Sequence, residues 1–172
     1  MIRDDILRLF PEIEWIEDES IKEGVINAWL LAVEKGRWDR IDDIPFTLLI
    51  ETDKSIVEHT RSVARMARAI LDVRDDLYGD VLIAGALVHD VAKLVEYERK
   101  GDKVVKSELG KRIRHPVYGV ALALEAGLPE SVAHIVGAHS VEGEKVQRTP
   151  EAIVVFHCDF TDFEIERAKM EK

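Results

Sequence analysis

A lone cysteine, Cys158, leaves this chain without an internal disulfide framework, and one unpaired thiol fits a reducing compartment, the cytoplasm. Long apolar runs are missing as well. The longest, Val81–Val88, is far too short to span a bilayer. The N-terminus (Met-Ile-Arg-Asp-Asp) lacks the basic, apolar and small-residue sections of a signal peptide. Positive charge is in deficit, with a formal net charge of −10, which argues against duplex DNA or an anionic membrane as a partner. No repeat, low-complexity tract or Ser/Gly linker divides the chain. What remains is 172 residues with 47% hydrophobic and 34% charged side chains, enough for one folded domain with a real core.

Almost every segment carries helical periodicity. Ile21, Val25, Ala28, Trp29 and Ala32 form one stripe between Asp18 and Lys35, with Gly36 expected at the C′ position. Residues 54–71 repeat the pattern, leaving Arg61, Arg65 and Arg68 on an outer, solvated face. The span 78–96 contains residues 82–88, apolar all round, and predicts a buried central helix. Pro116 predicts a helix ending at Gly127; Pro129 opens another reaching about His139; Thr149-Pro150 caps a last one running past Phe163. Residues 46–50 are the one strand-like run, and without a partner strand they read as a docked loop or a helix lead-in. The expectation is an all-α single-domain helical bundle, with N-terminal helices in residues 1–53 packing on a core at 54–165.

Against that background the polar residues in apolar stripes stand out. His59, the pair His89–Asp90, His115, His139 and Asp159 occur in that order, each on or at the start of a predicted helix. Imidazole nitrogens and carboxylate oxygens are the ligands of Mn, Fe, Co, Ni or Zn. Six ligands exceed the needs of one closed tetrahedral site, so the number points to two ions, or to one with a generous shell. Helical phase sharpens the choice. His59 lies with Val63, Met66 and Ile70; His139 with Val132, Ile135 and Val136; Asp159 with Ala152, Val155, Phe156 and Phe163. His134 and His157 point away from their apolar stripes and are set aside as surface residues.

Lys93 lies one turn beyond His89 and Asp90 and reaches the same side of the helix. An imidazole, a carboxylate and an ammonium buried together make sense if the first two hold a cation and the third meets an anionic substrate. Its alternative partner is Glu96. Pro116 puts His115 at a helix start, where free N–H groups favour phosphate. Between Glu96 and His115 seven basic residues face four acidic ones, so this basic segment reads as a phosphate-steering edge. Lys93, Lys111, Arg112 and Arg114 are its candidate phosphate contacts. Asp162, one turn beyond Asp159, is either an orienting carboxylate or a plain surface one.

At His59…His89-Asp90-Val91-Ala92-Lys93…Asp159 the chain resembles the HD superfamily of metal-dependent phosphohydrolases, over about residues 54–165. The resemblance implies an HD-type helical fold and a core metal site of His59, His89, Asp90 and Asp159. His115 in His-Pro-Val-Tyr-Gly and His139 in Gly-Ala-His-Ser look like the extra pair of the dinuclear branches, in which the HD aspartate bridges two ions. Those branches include diadenosine tetraphosphate hydrolases and Gly-Tyr-Pro cyclic-dinucleotide phosphodiesterases. This chain lacks the latter's signature and has Ala138 where they carry a second consecutive histidine, which argues against cyclic-di-GMP as substrate.

The resemblance thus implies cleavage of a phosphoester or phosphoanhydride, in a small phosphorylated molecule of the nucleotide or dinucleotide class, by attack of a metal-bound hydroxide. Asp90 and Lys93 would be catalytic, the latter neutralising phosphoryl charge. The cofactor would be two divalent ions, with Mn, Fe, Ni, Co, Zn and Mg all open. The rival reading is a metal-containing regulatory module that binds a nucleotide without turnover. A purely structural metal is disfavoured, because so many ligands leave open positions. The oligomeric state stays open, a homodimer included.

Overall fold

The protein, seen in a computed structural model that describes residues 1–170, is built from helices and one hairpin. Helix α1 (Arg3–Leu9), a 3-10 turn (Pro11–Trp15) and α2 (Glu19–Gly36) come first. Helix α3 (Ile56–Leu71), α4 (Gly79–Val88) and the single turn α5 (Lys93–Glu96) follow. A hairpin of β1 (Tyr97–Lys100) and β2 (Lys103–Lys106) leads to α6 (His115–Glu125), α7 (Glu130–Ala138), a 3-10 turn (Val141–Lys145) and α8 (Pro150–Met170).

Helix α4 is the axle. Residues 82–88 are all buried, and α2, α3, α7 and α8 pack around them. A side chain at Gly85 would place its Cβ 2.5 Å from Ile135 Cδ1, so glycine is what lets α7 approach this closely. Local signals set the ends of the surrounding helices. Asp18 caps α2 through the Ser20 and Ile21 amides, and Ser55 with Glu58 forms a reciprocal capping box on α3.

Four expectations need correction. The helix expected over 78–96 breaks after Val88, where i→i+3 bonds (Val91 N to Val88 O, 3.1 Å; Lys93 N to Asp90 O, 2.9 Å) tighten the chain through His89–Asp90. Periodicity could not show this, because both sides of the break are apolar. The break leaves carbonyls without helical partners, and the N-terminal region supplies them: Trp29 Nε1 donates to Leu87 O (3.1 Å) and Trp38 Nε1 to Leu94 O (2.6 Å). Second, the charge-rich residues 97–106 form an antiparallel hairpin, Tyr97 opposite Lys106, closed by a two-residue turn with Gly101 at φ 59°.

Third, the left-handed residue after α2 is Arg37 (φ 57°), not Gly36. Gly36 is needed instead for contact: a Cβ there would lie 2.0 Å from Leu94 O. Fourth, Arg61 and Arg65 are not merely solvated, because both donate to Glu12 (3.0 and 2.8 Å), a carboxylate only 2% exposed. Residues 46–53 are indeed a docked loop, pinched at its base where Phe46 N donates to Lys54 O and Ile56 N to Ile44 O. Phe46 stacks on His59 with ring centroids 4.5 Å apart.

Gly36→Ala tests the packing of α2 on the broken helix. The intruding methyl should lower the thermal midpoint by about 3–10 °C, measured by circular dichroism. An unchanged midpoint would show that the α2–α5 contact is looser than described.

Candidate metal centre

The six residues singled out in the sequence converge from five places. His59 comes from the second turn of α3, His89 and Asp90 from the break after α4, His115 from the first position of α6, His139 from the end of α7, and Asp159 from the middle of α8. One donor atom each from His59, His89, Asp90 and Asp159 lies within 4.8 Å of the others, and the same holds for Asp90, His115 and His139. Asp90 belongs to both groups through different oxygens. Its Oδ2 lies 3.4 Å from His59 Nε2 and 3.5 Å from His89 Nε2. Its Oδ1 lies 3.1 Å from His115 Nε2 and 3.5 Å from His139 Nε2. Asp159 Oδ1 completes the first group at 3.1 Å from His59 Nε2.

The outer nitrogens explain which way these rings face. His89 Nδ1 donates to Ala86 O (2.8 Å) and His139 Nδ1 to Val136 O (2.7 Å). Each ring ends a helix and satisfies a carbonyl three residues back that the last turn would otherwise orphan. His59 Nδ1 donates to Asp162 (2.7 Å) and His115 Nδ1 to Glu96 (2.6 Å). With Nδ1 committed as a donor in all four, Nε2 is the nitrogen left facing the shared centre, where a neutral ring presents a lone pair. A carboxylate oxygen facing two such lone pairs is repelled unless a cation lies between them. Asp90 Oδ1 is in that position: buried, with no hydrogen-bond partner among the described residues. The donor set therefore fits divalent metal, and the orphaned oxygen is the observation that tests it.

Charge in the site follows from the same contacts. Burial opposes ionisation of Asp90, but the Lys93 ammonium 2.6 Å away and the surrounding imidazoles hold its carboxyl well below the usual range. Burial likewise opposes the charge on Lys93, and Asp90 more than reverses it, keeping the amine protonated above its ordinary range. Asp159 and Glu96 are both held down to about 2 against the effect of burial, chiefly by hydrogen bonds from His59 and His115 respectively. Burial lowers His139, which suits a neutral ligand. His59 goes the other way. Burial disfavours its cation, but hydrogen bonds to Asp159, Asp162 and Asp90 raise it from 6.5 to about 10.

A cavity of about 270 Å³ opens over this centre. Its lining is apolar at Leu48 and Leu49 of the docked loop and Phe160 and Phe163 of α8, and also includes Lys93, Tyr97, Lys106 and Arg114. Of the four phosphate contacts expected, Lys93 and Arg114 line the cavity, while Lys111 and Arg112 are exposed outside it, Lys111 paired with Glu108. His134 is half-buried and accepts from Thr149 N, and His157 is exposed; neither joins the centre. Lys93 does not pair with Glu96. It donates to Asp90 and to Phe46 O (2.7 Å), and Glu96 turns to His115 and Lys106. From the sequence, Lys106 stands only as part of the basic segment and Glu96 only as a partner for Lys93, and Tyr97 is missed. The hairpin that carries Tyr97 and Lys106 offered one signal, the Gly101-Asp102 turn.

The profile of the HD domain matches residues 56–163. The chain belongs to the HD domain family. A relative from Methanocaldococcus jannaschii, dihydroneopterin 2′,3′-cyclic phosphate phosphodiesterase, is 33% identical over 173 residues, covering 92% of this chain and 69% of that protein. No solved structure matches the chain. The HD assignment, the relative and the ligand cluster make the protein a metal-dependent phosphohydrolase with an all-α HD-type fold. No helix among the described residues is long and apolar enough to cross a membrane.

The acid nest around His59 has a thermodynamic signature. A folded-state value near 10, above the unfolded 6.5, stabilises the fold fully below pH 6.5 and loses that contribution as pH rises through 10. In chelator-treated protein the thermal midpoint should therefore fall by several degrees between pH 7 and 10. Excess Mn²⁺ should flatten the decline, because metal and proton compete for the same donors. A chelated protein whose midpoint is level over that range would contradict the arrangement.

Proposed function

We propose that the protein is a two-metal phosphodiesterase acting on a small phosphoester carried by a flat heterocycle, a nucleotide or a pterin. The observation that carries this reading is the split of Asp90, Oδ2 toward one donor group and an orphaned Oδ1 toward the other. His59, His89, Asp90 and Asp159 would hold one ion, and Asp90, His115 and His139 a second. When bound, such ions supply an acidified water as nucleophile and offset charge on the phosphoryl oxygens. A diester is favoured over a monoester by the one relative's named activity on a 2′,3′-cyclic phosphate. A cyclic phosphate on a diol side chain is common ground between nucleotides and pterins.

The protein's own groups divide the remaining work. Lys93 spends two of its three donors on Asp90 and Phe46 O, so its third N–H is free for a phosphoryl oxygen without losing the anchor. Glu96 receives both the backbone N–H and the ring N–H of His115, fixing that ring's tautomer and direction. Arg114 lines the cavity while paired with Glu142 at 3.1 Å, which suits it to guiding an anion inward. The apolar wall of Leu48, Leu49, Phe160 and Phe163 suits the face of a heterocycle. Nothing in this reading requires a partner protein, duplex DNA or a membrane.

Two measurements test it. His139→Ala should lower bound metal from about two ions per chain to about one, by elemental analysis after Mn²⁺ or Fe²⁺ loading, while His157→Ala keeps both. A native chain saturating at one ion would sink the two-metal reading. Separately, the metal-loaded enzyme should open nucleoside 2′,3′-cyclic phosphates and dihydroneopterin 2′,3′-cyclic phosphate at least about tenfold faster than it cleaves the matching monoesters. Monoester cleavage alone would overturn the phosphodiesterase reading and leave the phosphohydrolase standing.

A further inference from the structure

Resting on the phosphodiesterase reading, we infer that Tyr97 is a substrate-contacting residue, its phenol hydroxyl donating a hydrogen bond to a phosphoryl oxygen in the cavity. Tyr97 is only 5% exposed, yet its phenol oxygen is not among the sealed polar atoms. It makes no hydrogen bond to any described residue, and Tyr97 lines the cavity above the metal centre. The surroundings define what would satisfy it. Lys93 and Arg114 favour negative charge at the phenol, Asp90 and Glu96 oppose it, and all four line the same cavity. Lys106 lies directly across the hairpin from it. Asp90 is already bonded by Lys93 and Glu96 by His115, so an unpaired hydroxyl among Lys93, Arg114 and Lys106 suits an anion.

The placement is rigid and tied to the chemistry. Tyr97 caps the single turn α5, its N–H donating to Lys93 O, so it follows the backbone that sets Lys93. The next turn of chain is clamped too, with Ser107 N on Glu96 O and Ser107 Oγ on Val95 O, both at 2.9 Å. The hydroxyl therefore stands at a fixed position relative to Lys93 and to Glu96, the residue that orients His115. Neither cation donates to the phenol oxygen in the structure: the bonds Lys93 makes go to Asp90 and Phe46 O, and Arg114 pairs with Glu142.

The test is Tyr97→Phe in the full, Mn²⁺-loaded chain, with Tyr78→Phe, a 76% exposed tyrosine, as control. The ring is kept and the lost hydroxyl has no protein partner, so metal content and thermal midpoint should match the wild type. Inorganic phosphate, titrated by calorimetry, should bind about tenfold more weakly or worse, and kcat/KM for a nucleoside 2′,3′-cyclic phosphate should fall by a similar factor. Unchanged phosphate affinity in Tyr97→Phe, or no phosphate binding by the wild type, would overturn the inference. So would loss of bound metal in the variant, since the hydroxyl would then be supporting the ligands. If the wild type binds phosphate and opens no diester, the phosphodiesterase reading falls, while weakened phosphate binding by Tyr97→Phe still upholds the contact.

Discussion

A carboxylate sealed in the middle of a helical protein is the constraint around which the rest is arranged. Asp90 is 1% exposed, and ionising it there is costly unless positive charge meets it. The neighbourhood supplies ammonium groups one for one to three acids: Lys93 to Asp90, Lys54 to Asp162 and Lys106 to Glu96. Among the described residues Asp159 has no ammonium partner, only the His59 and His89 rings at 3.1 and 3.9 Å. Anions thus outnumber fixed cations within one small volume. A neutral imidazole whose outer nitrogen is bonded offers a lone pair rather than charge. A divalent ion resolves both problems at once, which is why the donor set reads as a metal centre rather than a salt-bridge network.

Holding that carboxylate in place shapes the backbone. A continuous helix from 79 to 96 would leave no open carbonyls. Tightening the chain at His89–Asp90 exposes backbone acceptors. His89 takes up Ala86 O, Trp29 takes up Leu87 O and Trp38 takes up Leu94 O. The first helices, which carry no ligand, contribute by completing the hydrogen bonding of this break. Glu12 serves the same end from another side, joining the first 3-10 turn to α3 through Arg61 and Arg65. The N-terminal segment thus bonds to the ligand-bearing core both at this break and at α3.

Specificity is layered outside the metal centre. The docked loop 46–53 gives a carbonyl to Lys93 and an aromatic ring to His59, then continues as the apolar wall of the cavity. The hairpin between α5 and α6 adds Tyr97 and Lys106 to the lining. These two inserts are the least helical parts of the chain, and loops on a rigid scaffold are where binding residues collect.

How much of this was legible in the chain divides along a physical line. Helical phase and the cost of burying a polar side chain act within a few residues, so the sequence by itself determined the all-helical class, the inward histidines and aspartates, and the exclusion of His134 and His157. The break after Val88 was hidden because both of its flanks are apolar. The hairpin was hidden because its alternation is drowned by charge. Tertiary packing alone decided the pairings that span long stretches of chain: Asp162 with His59, Glu96 with His115, Glu12 with Arg61, and the two faces of Asp90. Each pairs groups whose separation in sequence carries no periodicity. Which carboxylate meets which ring follows only from how the helices cross around α4.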